Sequence, residues 1–519
     1  MGSRPGGRDK ERNPLSVSIC MTAGRGFALR GLPRGAFAVA FALLLSGCTS
    51  IDFAPEQADN NAFKPSANPV TVDNVQKNDR FAELAKSQHP RILATYGGEY
   101  SDPKLERMVA KVVGNLTTVA GNPGQAYRIT ILNSPNVNAF ALPGGYLYVT
   151  RGLLALANDS GELAAVLAHE MGHVTANHGI VRQQLEQEAA LATKTAEELF
   201  PTSPVAQVTA LRGKLELARF SRNQELEADA IGIRSSGQAG FDAFAASRFL
   251  ASMVAYGNMR SVSGATDASL DFLASHPNNA QRIQLAQGHA RQFGPEGNGA
   301  RDRDAYLAGI DGLLFGDTPD EGYVRGHTFL HPKLGISFSV PQGFIIDNSA
   351  NAVTANGPGD TAVRFDGVSL ARNTPLTDYL KSGWVTGLDA SSVKAVTING
   401  NDAATARARA DNWQFDITVI RAGNQVYRLL TATPAAATNI DSVAATVRDS
   451  FRILSSAERA ALQPLRIRII SARAGDTVGS LAAKMVGVDR KEELFRVLNE
   501  LGPGASVAAG YKVKIVTDQ

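Results

Sequence analysis

Within the apolar run Leu163-Ala-Ala-Val-Leu-Ala-His169-Glu170-Met-Gly-His173, two histidines stand four residues apart with a glutamate directly behind the first. Four residues advance an α-helix by about one turn, so His169 and His173 share a face and can grip one metal ion. Glu170 leaves the helix at a neighbouring angle, from which it can reach a metal-bound water without competing for the metal. The apolar remainder, Leu163, Val166 and Leu167, must be buried against other elements. This is the arrangement of a zinc peptidase, and a chain of 519 residues with only eight histidines gives little scope for it by chance.

The helix has its own start signal. Asp159 can cap it, with Glu162 three residues on, a variant of the capping box. Gly172, between the two histidines, leaves room for another backbone. Upstream, Asp102-Pro103 starts a helix whose Leu105, Met108, Val109, Val112, Val113 and Leu116 form a core stripe. Tyr127 to Leu132 and Tyr146 to Thr150 alternate as strands, and Pro143-Gly144-Gly145 turns between extended pieces. Asn138, Ala139 and Phe140 then lie either on an edge strand that an extended peptide could pair with, or in an internal hairpin.

Two histidines do not complete a catalytic zinc site, which normally has three protein ligands and one open position. His178, five residues past His173, rotates off the shared face and reads as structural. In Ser221-Arg222-Asn-Gln-Glu225-Leu-Glu227-Ala-Asp229, Glu225 and Asp229 are one turn apart. One of them can bind metal while the other orients a ligand histidine from behind. Glu227 points elsewhere, towards solvent.

The four segments Asn138-Ala-Phe-Ala-Leu-Pro-Gly-Gly145, His169-Glu-x-x-His173, Ser221-Arg-x-x-Glu-x-Glu-Ala-Asp229 and Ser275-His276-Pro277-x-x-x-x-Arg282 together resemble the gluzincin metallopeptidase family of HtpX and the CAAX prenyl protease. The resemblance implies His169, His173 and Glu225 as ligands of one Zn2+ per chain, Glu170 as general base and Asp229 behind the ligands. His276 matches a family histidine over the metal, which either steadies the oxyanion or fills the open position in a resting form. A loop residue before a proline is the plainer alternative. Membrane-embedded members surround this core with long apolar helices. Here Gln183 to Leu217 is charged or small, so a prenylated membrane substrate is not expected.

Composition bears on where such a protein works. Arg25, Arg30 and Arg34 precede the apolar run Ala36 to Leu45, too short to span a bilayer and suited to a signal peptide. It ends in Leu45-Ser46-Gly47-Cys48, which resembles the bacterial lipobox, so Cys48 is the expected lipidation site. The absence of aspartate at position 49 implies the periplasmic face of the outer membrane. Met21 would begin a signal of more usual length, making residues 1–20 an overlong start. The net charge of +3 comes from this leader: residues 1–47 hold seven Lys/Arg against two Asp/Glu, leaving 45 basic against 47 acidic residues and no electrostatic case for nucleic acid. With Cys48 acylated, no thiol pair remains for a structural disulfide.

The fold expected is α+β. Residues 1–47 read as a lipoprotein signal peptide, 48–80 as a tether and 81–292 as a mainly helical metallopeptidase domain with a small edge sheet. Residues 293–322, rich in Gly and Asp, read as a linker. The strand-like runs and closing helix of 323–456 resemble the PsbP-like α+β sandwich by pattern. Residues 465–519, from Ala474-Gly475-Asp476-Thr477 through Phe495-x-x-Leu498-Asn499 to Val513-x-Ile515, resemble a LysM module in βααβ order. A LysM module would bind peptidoglycan; the alternative is a small domain packed on the protease. The function expected is a zinc endopeptidase of the cell envelope acting on unfolded or misassembled envelope proteins. The alternative is a non-catalytic or latched adaptor linking outer membrane to peptidoglycan.

Overall fold

A computed structural model describes residues 79–120, 126–199, 205–260, 276, 280–349, 352–423 and 425–519. The expected signal peptide, Cys48 and nearly all of the expected tether lie outside the described residues. Among the described residues no helix is long and apolar enough to cross a membrane.

The first half is helical around one small sheet. Helix α1 (Asp79–Thr95) is followed by α2 (Pro103–Thr117), where Asp102 accepts hydrogen bonds from the Lys104 and Leu105 amides and Leu105, Val109, Val112, Val113 and Leu116 are buried. Strands β1 (Arg128–Leu132), β2 (Ala139–Leu142) and β3 (Tyr146–Thr150) assemble in the order β1-β3-β2. β3 runs parallel to β1 and antiparallel to β2. The β2–β3 pair is a hairpin whose turn uses Gly144 and Gly145 at φ +83° and +85°, values that favour glycine. Among the described residues β2 lies at the edge of the sheet.

Helices α3 (Arg151–Leu156) and α4 (Ser160–Thr175) follow directly. Asp159 accepts from the Glu162 amide, while the Glu162 carboxylate reaches back to the Asn158 amide at 2.8 Å. Every residue of α4 from Ser160 to Gly172 is buried, making it the central helix of the domain. Helices α5 (His178–Leu199) and α6 (Val205–Gln238) pack on each other, and α6 also crosses α4. Glycine permits that crossing: a Cβ on Gly232 would lie 2.8 Å from the His169 amide nitrogen, closer than any contact a Cβ at Gly172 would make. Helices α7 (Ala245–Arg260) and α8 (Ala280–Ala290) complete the layer around α4 and α6.

Residues 303–315 depart from the linker expected for 293–322. Helix α9 (Arg303–Ile310) buries Tyr306, Leu307 and Ile310 completely, and the Tyr306 hydroxyl donates to the Leu154 carbonyl at 2.7 Å. Strand β4 (Leu314–Phe315) joins a C-terminal sheet. Three apolar residues within one turn supply the anchoring, and the surrounding Gly and Asp residues mask them compositionally.

A sheet-rich unit follows. Strands β5 (Tyr323–Arg325), β6 (Thr328–His331), β7 (Ile336–Ser339), β8 (Ile345–Asn348), β9 (Val353–Gly357) and β10 (Thr361–Val368) precede helix α10 (Leu376–Leu380). Then come β11 (Leu388–Ile398), β12 (Asn401–Ala410), β13 (Trp413–Ala422), β14 (Gln425–Pro434), helix α11 (Ile440–Ser450) and β15 (Arg452–Ile453). They form a seven-stranded sheet, β11-β12-β13-β14-β10-β9-β8, and a four-stranded one, β15-β7-β6-β5. Phe329, Phe338, Phe365, Tyr427 and Phe451 pack together in its core, closed by α11 through Val443 and Val447.

The last unit is β16 (Leu465–Ser471), α12 (Val478–Ala483), α13 (Lys491–Leu498) and β17 (Lys512–Thr517), with β16 pairing β17 antiparallel and β4 added alongside. Its Ile467, Leu481, Phe495, Leu498, Val513 and Val516 belong to the same buried cluster as Val109, Leu163 and Leu167 of the helical domain. Its core and that of the helical domain are therefore continuous.

The tight α4–α6 crossing gives a direct test. Gly232→Ala forces the two helix backbones apart or off their axes, and is expected to lower unfolding stability by about 1–3 kcal/mol. An unchanged urea-unfolding midpoint would show that the crossing carries no such constraint.

Candidate metal centre

The crossing of α4 and α6 brings Glu225 over the histidine face of α4, and His276 joins them from just before α8. One ligand atom from each of His169, His173, Glu225 and His276 lies within 4.8 Å of the other three. His169 Nε2 and His173 Nε2 are 3.0 Å apart, and they stand 3.5 and 3.4 Å from the two Glu225 oxygens. His276 Nδ1 is 3.1 Å from both Glu225 oxygens and 3.4 Å from His169 Nε2. Donors about 2.0–2.1 Å from a tetrahedral zinc lie roughly 3.3 Å from one another, so the group fits zinc in both donor chemistry and spacing.

The outer nitrogens of both helix histidines are occupied, which turns each Nε2 towards the centre. His169 Nδ1 faces Asp229 Oδ1 at 2.9 Å, and Asp229 is gripped by Arg282 through two contacts of 2.8 Å. Arg282 also stands 3.0 Å from Glu225 Oε2 and donates to the His276 carbonyl at 3.3 Å. His173 Nδ1 meets His178 Nδ1 at 2.9 Å, and His178 Nε2 meets Glu227 Oε2 at 3.3 Å. A ligand histidine oriented by such an outer partner keeps one tautomer and one ring angle.

These outer residues include those that sequence reasoning underweighted. Arg282 stood in a motif without a role, and no spacing rule links it to Asp229, 53 residues earlier. His178 lies outside the four-donor group, as its spacing implied, yet it touches His173. Glu227 is more than half exposed but closes that chain.

Electrostatics follow from burial. For His169 burial opposes the charge, but Asp229 and Glu225 outweigh it and lift its pKa to about 10. His173 moves the other way, because it is buried and faces His169. Burial works against a charged Glu225, yet His169 and His276 hold its carboxyl well below the usual range. The carboxylates of Glu225 and Asp229 thus favour positive charge among the histidines, a demand that a divalent ion would also answer. Glu170 is buried, and burial raises its carboxyl above the usual range. Among the described residues its Oε1 has no hydrogen-bond partner, and His276 Nε2 stands 3.6 Å away. A buried carboxyl with raised proton affinity beside this donor group is placed to exchange a proton.

The remaining sequence candidates lie on β2 or just before it. α4 packs against β2. Asn138 is buried and donates to the Tyr96 hydroxyl at 3.1 Å, Ala139 is buried, and Phe140 stacks on Tyr148 with ring centroids 4.8 Å apart.

The model of peptidase family M48 matches residues 101–290. The mitochondrial metalloendopeptidase OMA1 of Schizosaccharomyces pombe is 29% identical over 203 residues, covering 39% of this chain and 58% of that protein. A putative beta-barrel assembly-enhancing protease of Vibrio cholerae is 26% identical over 273 residues, 49% of this chain and 52% of the relative. The beta-barrel assembly-enhancing protease of Yersinia pestis is 30% identical over 205 residues, 37% and 40% respectively. The chain thus spans about half the length of the curated relatives it matches. Among solved structures, cyanobacterial PsbP from Synechocystis sp. PCC 6803 is similar at 16% identity over 27% of this chain and 98% of that one, with a TM-score of 0.21. The segment that matches peptidase family M48 holds all four residues of the donor group together with Glu170, Asp229 and Arg282, so the likeness to that family falls on the part of the chain that builds the centre.

Proposed function

We propose that this protein is a zinc-dependent endopeptidase of the bacterial cell envelope, hydrolysing unfolded or misassembled envelope proteins. The observation that carries the reading is the convergence of His169, His173 and Glu225 with Glu170 alongside. His169, His173 and Glu225 would hold one zinc ion, which when bound lowers the pKa of water and polarises a scissile carbonyl. Glu170 Oε1 takes the proton of the attacking water and passes it to the leaving amine. Asp229 and His178 hold the two ligand histidines, and Arg282 balances the carboxylates. An extended substrate would pair with the edge of β2 that is unpaired among the described residues, beside Asn138, Ala139 and Phe140.

His276 has two readings, and its position favours one. Its Nδ1 lies among the donor atoms rather than beyond them, so this conformation fits the resting form, in which His276 fills the open position. Access by substrate then requires the His276 ring to leave the open position, after which it can serve the oxyanion. This latched state also preserves the adaptor alternative in modified form, as an enzyme held closed until needed.

The envelope location rests on the lipobox-like Leu45 to Cys48 and on the names of the bacterial relatives. Peptidoglycan binding by 465–519 rests on the βααβ order, with the loops around Ala474 and Pro503 exposed.

Three variants test the assignment. Glu170→Gln is expected to keep one zinc per chain but to lose proteolysis of casein by about 10²–10⁴-fold; wild-type turnover by the purified variant would remove Glu170 from the role of base. Arg282→Met should weaken zinc retention by about 10–100-fold in a chelator competition, because it frees Asp229 and leaves Glu225 unbalanced. His276→Ala should raise casein cleavage at unchanged zinc content. A fall instead would assign His276 to the oxyanion rather than to closure.

A further inference from the structure

We propose that Lys514 of the C-terminal βααβ unit, supported by Glu500, is a positioning residue for the metal-bearing helix, which makes that unit a working part of the peptidase.

Lys514 sits on β17 and is completely buried, unusual for a lysine. Its Nζ donates to three consecutive carbonyls, Ala155, Leu156 and Ala157, at 2.9, 2.9 and 2.8 Å. Only the protonated ammonium carries three N–H donors, so the geometry is that of the charged form. Burial pushes its pKa down to about 7, and the carboxylates of Glu162 and Glu500 oppose that shift. The carbonyls belong to the end of α3 and the residue after it, where helix carbonyls lack intrahelical partners and carry partial negative charge. Two residues further on is Asp159, the N-cap of α4.

The lysine is itself held firmly. Asn499 accepts from the Lys514 amide at 2.7 Å and donates to its carbonyl at 2.9 Å. The next residue, Glu500, acts on Glu162 in the first turn of α4, which is wholly buried, and burial together with Glu500 and Asp159 raises the Glu162 carboxyl well above the usual range. Arg301 links the two sides, 2.6 Å from Asp159 and 3.9 Å from Glu500. Arg248 of α7 stands 3.3 Å from Asp159 and 3.8 Å from Glu162. The start of α4 is therefore clamped by charges, two of which come from residues more than three hundred positions later.

His169 lies seven residues beyond Glu162, about 10 Å along a stiff helix. A shift at the clamp is carried to His169, Glu170 and His173 together. Misplacement by about 1 Å is enough to cost of the order of a hundredfold in rate.

The kinetic part rests on the metallopeptidase reading; the structural part does not. The test uses the full-length protein with Lys514→Met, Lys514→Arg and Glu500→Gln, each checked for folding by circular dichroism. Measured for each are amide exchange across residues 155–165, zinc retention against a chelator, and kcat and KM on unfolded casein. Lys514→Met should speed exchange at 158–165 and lower kcat by about 10–100-fold with KM nearly unchanged, and Lys514→Arg, which keeps the charge, should recover part of both. Wild-type exchange and kcat in folded Lys514→Met protein, even with a lower melting temperature, would overturn the proposal by reducing Lys514 to a fastener between two units. Should Lys514→Met fail to fold, Glu500→Gln decides by the same readouts. If the wild-type chain cleaves nothing, the peptidase reading fails, and exchange with zinc retention still decides whether the clamp positions the helix.

Discussion

Three imidazoles and two carboxylates cannot be packed into a dry interior unless their charges are answered, and Arg282 answers much of that demand. One guanidinium binds Asp229 in two places, stands against Glu225 and holds the carbonyl of His276. Removing it would leave buried carboxylates unbalanced, a far larger cost than a lost surface pair. Every element that supplies the centre must therefore meet where Arg282 lies: α4 with its histidines, α6 with the two acids, and α8 with the arginine itself.

That meeting depends on close backbone approach. Gly232 lets α6 lie almost against the amide of His169, so Glu225 and Asp229 reach the histidines from two different sides. Asp229 takes the outer nitrogen of His169 and Glu225 faces the inner ones. The start of α4 is fixed from the opposite direction, by the ammonium of Lys514 and the carboxyl of Glu500. The central helix is thus held at its histidine-bearing turns by one part of the chain and at its N-terminus by another.

Legibility varied with distance along the chain. His169, Glu170 and His173 were readable because a single helical turn sets their relation. The cap at Asp159, the β2–β3 turn and the βααβ order of the last unit were readable for the same reason, since each is a local rule. Arg282 and His178 were harder to interpret, because their roles depend on neighbours from other elements. The helix Arg303–Ile310 was missed since its three anchors sit in a stretch whose composition argues for a linker.

By itself, the sequence determined the chemistry on offer: two histidines and a glutamate on one helix, two acids one turn apart on another, and a histidine before a proline. Helical spacing alone could not decide which acid faces the paired histidines, because Glu225 and Asp229 share a helix face and differ only in what lies opposite; only the motif resemblance pointed to Glu225. The tertiary structure decided that through the α4–α6 crossing. It likewise decided that the C-terminal unit packs on the helical domain, because an inward-facing lysine on a strand has no visible purpose until the three carbonyls it binds are brought to it.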